Sequence, residues 1–231
     1  VMGRHAGWMA ASSALARNNK NDPPHIILMP EIIFNQKKFL SKTKDIVKKN
    51  GYCVIVASEG IKNNKGKFLA ESSTKDAFGH TQLGGVAPYL SSLIYKKLKL
   101  KNHWAVSDYL QRSARHISSK TDLLHAEAVG IHAVKYAVNG MNGVMPVIVR
   151  GKGKKYSWKI EPAPLSKIAN VEKKLPKSFI SKNGFDVNSK AIAYLKPLIK
   201  GEAFPEFKEG LPKLSNLKLL LAPKKLKKWT A

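Results

Sequence analysis

The chain has 231 residues, of which 43% are hydrophobic, and this share is ordinary for a globular domain and too high for general disorder. No apolar run reaches the ~20 residues that a membrane helix needs, and no secretory leader is visible, so neither a membrane partner nor an exported state is expected. The net charge is +26, but of the 41 basic residues only Arg4, Arg17, Arg112, Arg115 and Arg150 are arginine, and the lysines spread over the whole chain; this reads as a solvated surface, not as specific nucleic-acid binding.

Residues 1–17 read VMGRHAGWMAASSALAR. The spacing of Met2, Ala6, Met9 and Leu15 predicts a helix here. Gly3, Gly7, Ala10 and Ala14 form a stripe of small residues that permits close approach of another backbone or a ligand. NNKNDPP (18–24) is a break. HIILMPEIIF (25–34) begins as a buried strand, KKFLSKTKDIVKKNG (37–51) is an amphipathic helix with Phe39, Leu40, Ile46 and Val47 inward, and YCVIVASEG (52–60) is a second strand. Strand, helix, strand predicts an α/β fold with a parallel sheet covered on both faces. Ser58 and Glu59 follow the second strand, where such sheets bind ligands. Cys53, the only cysteine, reads as a structural thiol in a reducing cytoplasm.

KNNKGKF (62–68) is a loop, and FGHTQLGGVAPYLSSLIYKKL (78–98) is a glycine turn running into a helix. DYLQRSARHISSKTD (108–122) is compatible with a polar helix. LLHAEAVGIHAVKYAVNG (123–140) predicts a strong helix with Leu124, Ala128, Ile131, Val134 and Val138 on one stripe. NGVMPVIVR (142–150) is a third strand, which Pro146 weakens or places at an edge. Beyond 151 the pattern fades into loops and prolines, with a helix near 188–199. The tail ending PKKLKKWTA reads as a packed or frayed terminus; it is too short and proline-broken for a membrane-surface helix.

Four places carry polar chemistry. Arg4, beside Gly3 at an expected helix start, suits a phosphate as well as it suits solvent. Glu59 suits sugar hydroxyls or a solvated loop. On a helix, Tyr109, Arg112, Arg115 and His116 share one side at i, i+3, i+6 and i+7, a phosphate clamp without a catalytic base. Arginine in a chain that otherwise uses lysine favours the functional reading. The turn GHTQLGG (79–85) allows close backbone approach, and its His80 fits a turn as well as a ligand role. P-loop, nucleophile elbow, zinc spacing and a magnesium-binding acidic cluster are absent.

Taken in order, V-M-G-R, L-M-P-E-I-I-F, V-A-S-E-G, G-H-T-Q-L-G-G and Y-L-Q-R-S-A-R-H resemble segments of the phosphofructokinase family over about residues 1–150. Y-L-Q-R is most similar to the pyrophosphate-dependent branch. Leu83 stands where many ATP-dependent members carry an arginine, which also fits that branch.

The resemblance implies part of a two-domain Rossmann-like fold. Residues 1–90 would be mainly the sugar-phosphate domain, 91–150 helices and a strand crossing back to a donor domain, and 151–231 an extension packed across the outside. It implies transfer of a phosphoryl group from pyrophosphate or ATP, with Mg2+, to fructose 6-phosphate. Met2, Gly3, Arg4, Glu59, Tyr109, Leu110, Gln111 and Arg112 would bind substrate, with Arg115 and His116 as further phosphate contacts. The family's catalytic and metal-binding aspartates precede M-G-R, so the chain reads as a C-terminal fragment with no catalytic residue of its own. A homodimer or homotetramer is implied for the whole protein. The alternative is a catalytically inactive sugar-phosphate-binding module.

Overall fold

Helix α1 spans Trp8–Ser12 and passes into a 3-10 turn over Ser13–Ala16. The helix expected over 1–17 is therefore shorter, and the reason lies at its front. Gly3 has φ +133°, far from helical backbone, and residues 1–3 pair with another segment. Arg4 lies ahead of the helix and not at its N-terminus. The computed structural model describes residues 1–226 apart from Lys20, Ala70, 76–80, Gly84, Lys154 and Ala222, with backbone alone at 71–75 and 81–83.

Strand β1 (Ile26–Leu28), helix α2 (Gln36–Asn50) and strand β2 (Ile55–Ala57) form the expected unit, with β1 and β2 parallel and Ile26 opposite Ile55. Local chemistry sets the ends of α2. The Asn35 side chain accepts from Lys38 N, and Gly51 takes the left-handed conformation at φ +79°. Alternation along β1 divides the core. Ile26 and Leu28 pack with Phe39 of α2 and with Val86, Leu90 and Ile94 of helix α3, at Val86–Leu98. Ile27 and Met29 pack on the other face against Ala10 and Ala11 of α1. The sheet is thus covered on both sides. Between these elements, strand β3 (Glu71–Lys75) pairs antiparallel with β4 (Thr81–Leu83). Gly79, His80 and Gly84 of the glycine turn lie outside the described residues.

Residues 108–122 do not form one helix. Helix α4 covers only Leu110–Ser113, and helix α5 starts afresh at Lys120, with the Ser119 hydroxyl accepting from Asp122 N, and runs to Val138. Strand β5 (Val144–Arg150) is a full antiparallel partner of β6 (Trp158–Pro164). Pro146 sits opposite Pro162 in a two-stranded sheet, so among the described residues β5 is an edge strand, one of the two readings of that proline. Strand β6 has no counterpart among the expected elements, because its prolines mask the alternation. His125 of α5, 6% exposed, meets this hairpin: its ring lies edge-on to Trp158 at 4.6 Å, and the Tyr156 hydroxyl stands 3.0 Å from Nε2.

The chain beyond 151 does not simply pack across the outside. After the short helix α6 (Leu165–Ile168), Leu175, Ile180 and Val187 enter the core beside Ala10 and Met29. They are joined by Ala191 and Leu195 of helix α7 (Ser189–Leu195). Arg17 ties the same region: its Nη1 donates to both carboxylate oxygens of Asp186, at 3.0 and 2.8 Å, and its Nε to Pro24 O. A two-residue pair, β7 (Phe207–Lys208) with β8 (Leu211–Pro212), precedes an exposed leucine-rich tail. The apolar stripe of α5 is also largely uncovered, with Val138 80% exposed.

Phe39 is 0% exposed, so Phe39→Ala should cost about 3–5 kcal/mol in denaturant unfolding, whereas Val134→Ala on the open stripe should stay within about 0.5 kcal/mol. Burial pushes the His125 imidazole below its ordinary value, against the opposing charge of Asp122. The unfolded chain therefore takes up the proton first, and stability falls as pH drops from about 6.5. His125→Phe should flatten that part of a stability–pH curve.

Candidate functional site

The opening segment lies beside the carboxyl end of β2. Val1 N donates to Ala57 O at 2.8 Å, and Glu59 N donates to Val1 O at 3.0 Å, the pattern of a parallel neighbour. Ser58 N donates to Leu28 O at 3.0 Å, and the Ser58 hydroxyl donates to Gly3 O at 2.5 Å. The Glu59 carboxylate accepts from Gly3 N at 3.1 Å. Two glycines permit this approach. Gly3 is held at φ +133°, and a Cβ on Gly60 would lie 1.7 Å from Arg4 O. One turn later Gly7 N donates to Glu31 Oε1 at 2.9 Å, and the same oxygen accepts from Leu175 N at 2.8 Å. Glu31 of the P-E segment thus clamps the approach to α1 against the C-terminal part of the chain.

Helix α4 closes over this segment. Gln111 Oε1 accepts from Met2 N at 3.1 Å, and Gln111 Nε2 donates to Asp108 O at 3.0 Å. Asp108 itself takes φ +44°, a conformation that aspartate tolerates better than most residues. Two hollows meet at Gln111. The smaller, about 160 Å³, is lined by Met2, Glu59, Asp108 and Gln111 and by the start of α3 at Gly85 and Val86. The N-terminal N–H groups of a helix of this length favour an anion. The larger, about 890 Å³, is lined by Arg112, Arg115 and Gln111 with Trp8, Ser12 and Glu202 among others.

The residues singled out from sequence divide accordingly. Met2, Gly3, Glu59 and Gln111 come together, and Arg112 and Arg115 line the adjoining hollow. The shared helical face of Tyr109, Arg112, Arg115 and His116 is not formed, because α4 ends at Ser113. Tyr109 is 67% and Leu110 68% exposed, and neither lines these hollows; the Tyr109 ring instead lies 5.7 Å from the Arg112 guanidinium carbon. His116 is exposed and lines neither, and the Arg4 side chain also stands outside both. Sequence reading missed Asp108 and the clamp role of Glu31. A Ser-Asp pair just before a helix start was the available signal for the first. Cys53 is half-buried, and burial pushes its thiol up to about 11, with Lys42 opposing, so it is not a nucleophile at neutral pH.

The sequence model of the family described as "Phosphofructokinase" matches residues 1–137. The chain belongs to the phosphofructokinase family. It is 52% identical over 231 residues to the pyrophosphate–fructose 6-phosphate 1-phosphotransferase of Xanthomonas campestris pv. campestris (strain B100), covering 99% of this chain and 55% of that protein. It is 52% identical over 217 residues to the enzyme of the same name from Halomonas elongata, covering 94% of this chain and 52% of that one. The crystal structure of the pyrophosphate-dependent phosphofructokinase from Marinobacter aquaeolei superposes with a TM-score of 0.84 at 47% identity, covering 98% of this chain and 53% of that one. The one from Nitrosospira multiformis gives 0.85 at 48% identity, covering 99% and 54%. The chain therefore spans about half the length of the curated relatives it matches, and the fold is the phosphofructokinase α/β fold with its parallel pair and flanking helices.

Phosphofructokinases generally use magnesium. Among the described residues no group of three or more His, Cys, Asp or Glu side chains stands ready to hold a metal ion, and the Glu59 carboxylate already accepts from Gly3 N. The residues present do not fit a magnesium cage. No helix among the described residues is long and apolar enough to cross a membrane.

Gly60→Ala forces a backbone clash with Arg4 O and should cost about 3 kcal/mol or more in denaturant unfolding. Gly66→Ala, at φ +74° with open space around it, should cost only about 1 kcal/mol, which is the strain of the left-handed conformation alone.

Proposed function

We propose that the protein containing this chain transfers a phosphoryl group from pyrophosphate to the 1-hydroxyl of fructose 6-phosphate, giving fructose 1,6-bisphosphate, and that this chain supplies the sugar-phosphate side of the site. The observation that carries the reading is the meeting of Met2, Gly3 and Glu59 with Gln111 and Arg112 around adjoining hollows, in a chain that shares half its residues with proteins named for that reaction. Glu59 accepts hydrogen bonds from fructose hydroxyls. Arg112, with Tyr109 beside it, neutralises the 6-phosphate.

Physical chemistry supports this division of labour. Phosphoryl transfer asks a protein mainly for positioning and for charge neutralisation, and a guanidinium pairs with phosphate oxygens in a planar, bidentate way. The relatives' names support pyrophosphate over ATP as the donor in this reading. The resemblance assigns the catalytic base and the magnesium ligands to a segment ahead of M-G-R, so this reading gives them no residue of this chain. In this reading residues 1–90 are mainly the sugar-phosphate domain, and 91–150 cross back to a donor domain. A cytoplasmic homodimer or homotetramer completes the proposal.

The test is an assay of the full-length gene product for phosphate released from pyrophosphate in the presence of fructose 6-phosphate. Turnover is expected, with ATP a poor substitute. Arg112→Ala should raise KM for fructose 6-phosphate by about 10- to 100-fold, the worth of a charged hydrogen bond. Tight binding of fructose 6-phosphate without turnover would instead establish an inactive binding module.

A further inference from the structure

The turn that carries Arg112 does not support itself. Helix α4 is a single turn, and forming one turn fixes several dihedral angles for little hydrogen bonding in return. The segment on its C-terminal side, 115–121, is held by residues 198–203, a stretch with no motif in the sequence. Lys120 N donates to Gly201 O at 2.8 Å, Thr121 N to Lys200 O at 3.2 Å, and Ala203 N to Ser118 O at 3.1 Å. The hydroxyls of Ser119 and Thr121 donate to Leu198 O and Lys200 O at 2.7 and 3.1 Å. Arg115 Nη1 donates to Ala203 O at 2.5 Å. Gly201 has φ +79°, and a Cβ there would lie 2.9 Å from the Cβ of Lys120, so the stretch runs directly against the start of α5.

We propose that residues 198–203 act as a strap that positions Arg112 for the phosphate of the substrate, and that Arg115 is a positioning residue on this strap and not itself a phosphate contact. The proposal rests on the reading of these hollows as a sugar-phosphate site. The Arg112 guanidinium is exposed, so its placement is inherited from the backbone of α4 and from the Tyr109 ring. On its N-terminal side α4 is fixed by Gln111, which binds Met2 and Asp108. On its C-terminal side the tie is Arg115 to Ala203. A guanidinium donating to a carbonyl makes a strong, charge-assisted bond. Cutting it moves the nearest tie on that side from Arg115 out to Ser118, and the lengthened tether lets Arg112 sample orientations that miss the phosphate. The loss appears as weaker binding of the phosphate ester, with the chemical step unchanged.

The experiment uses the full-length gene product, with steady-state kinetics on fructose 6-phosphate and pyrophosphate, thermal unfolding, and amide hydrogen exchange across 109–121. Arg115→Ala is expected to raise KM for fructose 6-phosphate about tenfold, with kcat and KM for pyrophosphate within about twofold. Gly201→Ala, which displaces the strap and leaves Arg115 in place, should act in the same direction. Arg115→Lys keeps one donor for the carbonyl and should recover most of the affinity. Arg112→Ala combined with Arg115→Ala should be no worse than Arg112→Ala alone, because one residue acts through the other. Exchange at 112–117 should quicken in Arg115→Ala and stay unchanged in α2. Additive losses in the double variant would assign Arg115 to the phosphate and overturn the proposal. So would unaltered exchange and unaltered KM in Arg115→Ala, with the assignment of the reaction left intact. If Gly201→Ala fails to fold, the Arg115 variants decide. Absence of turnover in the unmodified protein would remove the functional reading, and unaltered exchange in Arg115→Ala would then independently remove the strap.

Discussion

The site depends on a close approach between two backbones. Residues 1–4 run beside the end of β2 so tightly that Gly60 has no room for a side chain against Arg4 O. This contact fixes the direction in which the M-G-R segment leaves the sheet. It brings Gly3 N to Glu59, Met2 N to Gln111, and, through Gly7, the base of α1 to Glu31. Each of these bonds consumes a backbone N–H that would otherwise be orphaned in a half-buried place. The Met2–Gly3 segment therefore serves first as a scaffold, and its polar groups are largely committed before any ligand arrives.

The two acidic residues of the site differ in kind. Glu31 spends one oxygen on Gly7 N and Leu175 N and keeps segments remote in sequence together. Glu59 accepts a single backbone bond and opens onto a hollow, which leaves it acceptor capacity. The arginines divide in the same way. Arg17 is locked into Asp186 and Arg115 into Ala203, while Arg112 stands exposed over Tyr109. Scarcity of arginine in a lysine-rich chain thus marks geometric need, which for Arg17, Arg115 and Arg150 is met by bonds within the fold.

The elements most legible in the sequence were those with complete local signals. Helix α2 carries an Asn35 cap, an amphipathic face and a Gly51 stop, and β1 and β2 are β-branched runs on either side of it. The opening helix is shorter than its pattern because helical spacing cannot register a tertiary pairing that holds Gly3 at positive φ. The Tyr109–His116 face is absent because α4 stops at Ser113, and Arg115 beyond it bonds a carbonyl far along the chain. The ordered motifs named the family correctly. The helix expected near 188–199 is present as α7 and the 3-10 turn that follows it, but the tertiary role of 171–203 was invisible, because Leu175, Val187 and Ala203 matter through contacts with segments that no local pattern predicts.

The uncovered stripe of α5 has a colloidal consequence. Ile131, Val134 and Val138 offer copies of this chain an adhesive face, and the net charge of +26 opposes their approach. At low ionic strength the repulsion reaches across tens of ångströms and keeps molecules apart; near 1 M salt it shrinks to about 3 Å, shorter than a side chain. Added salt screens this repulsion, removes the barrier and leaves the apolar face to act.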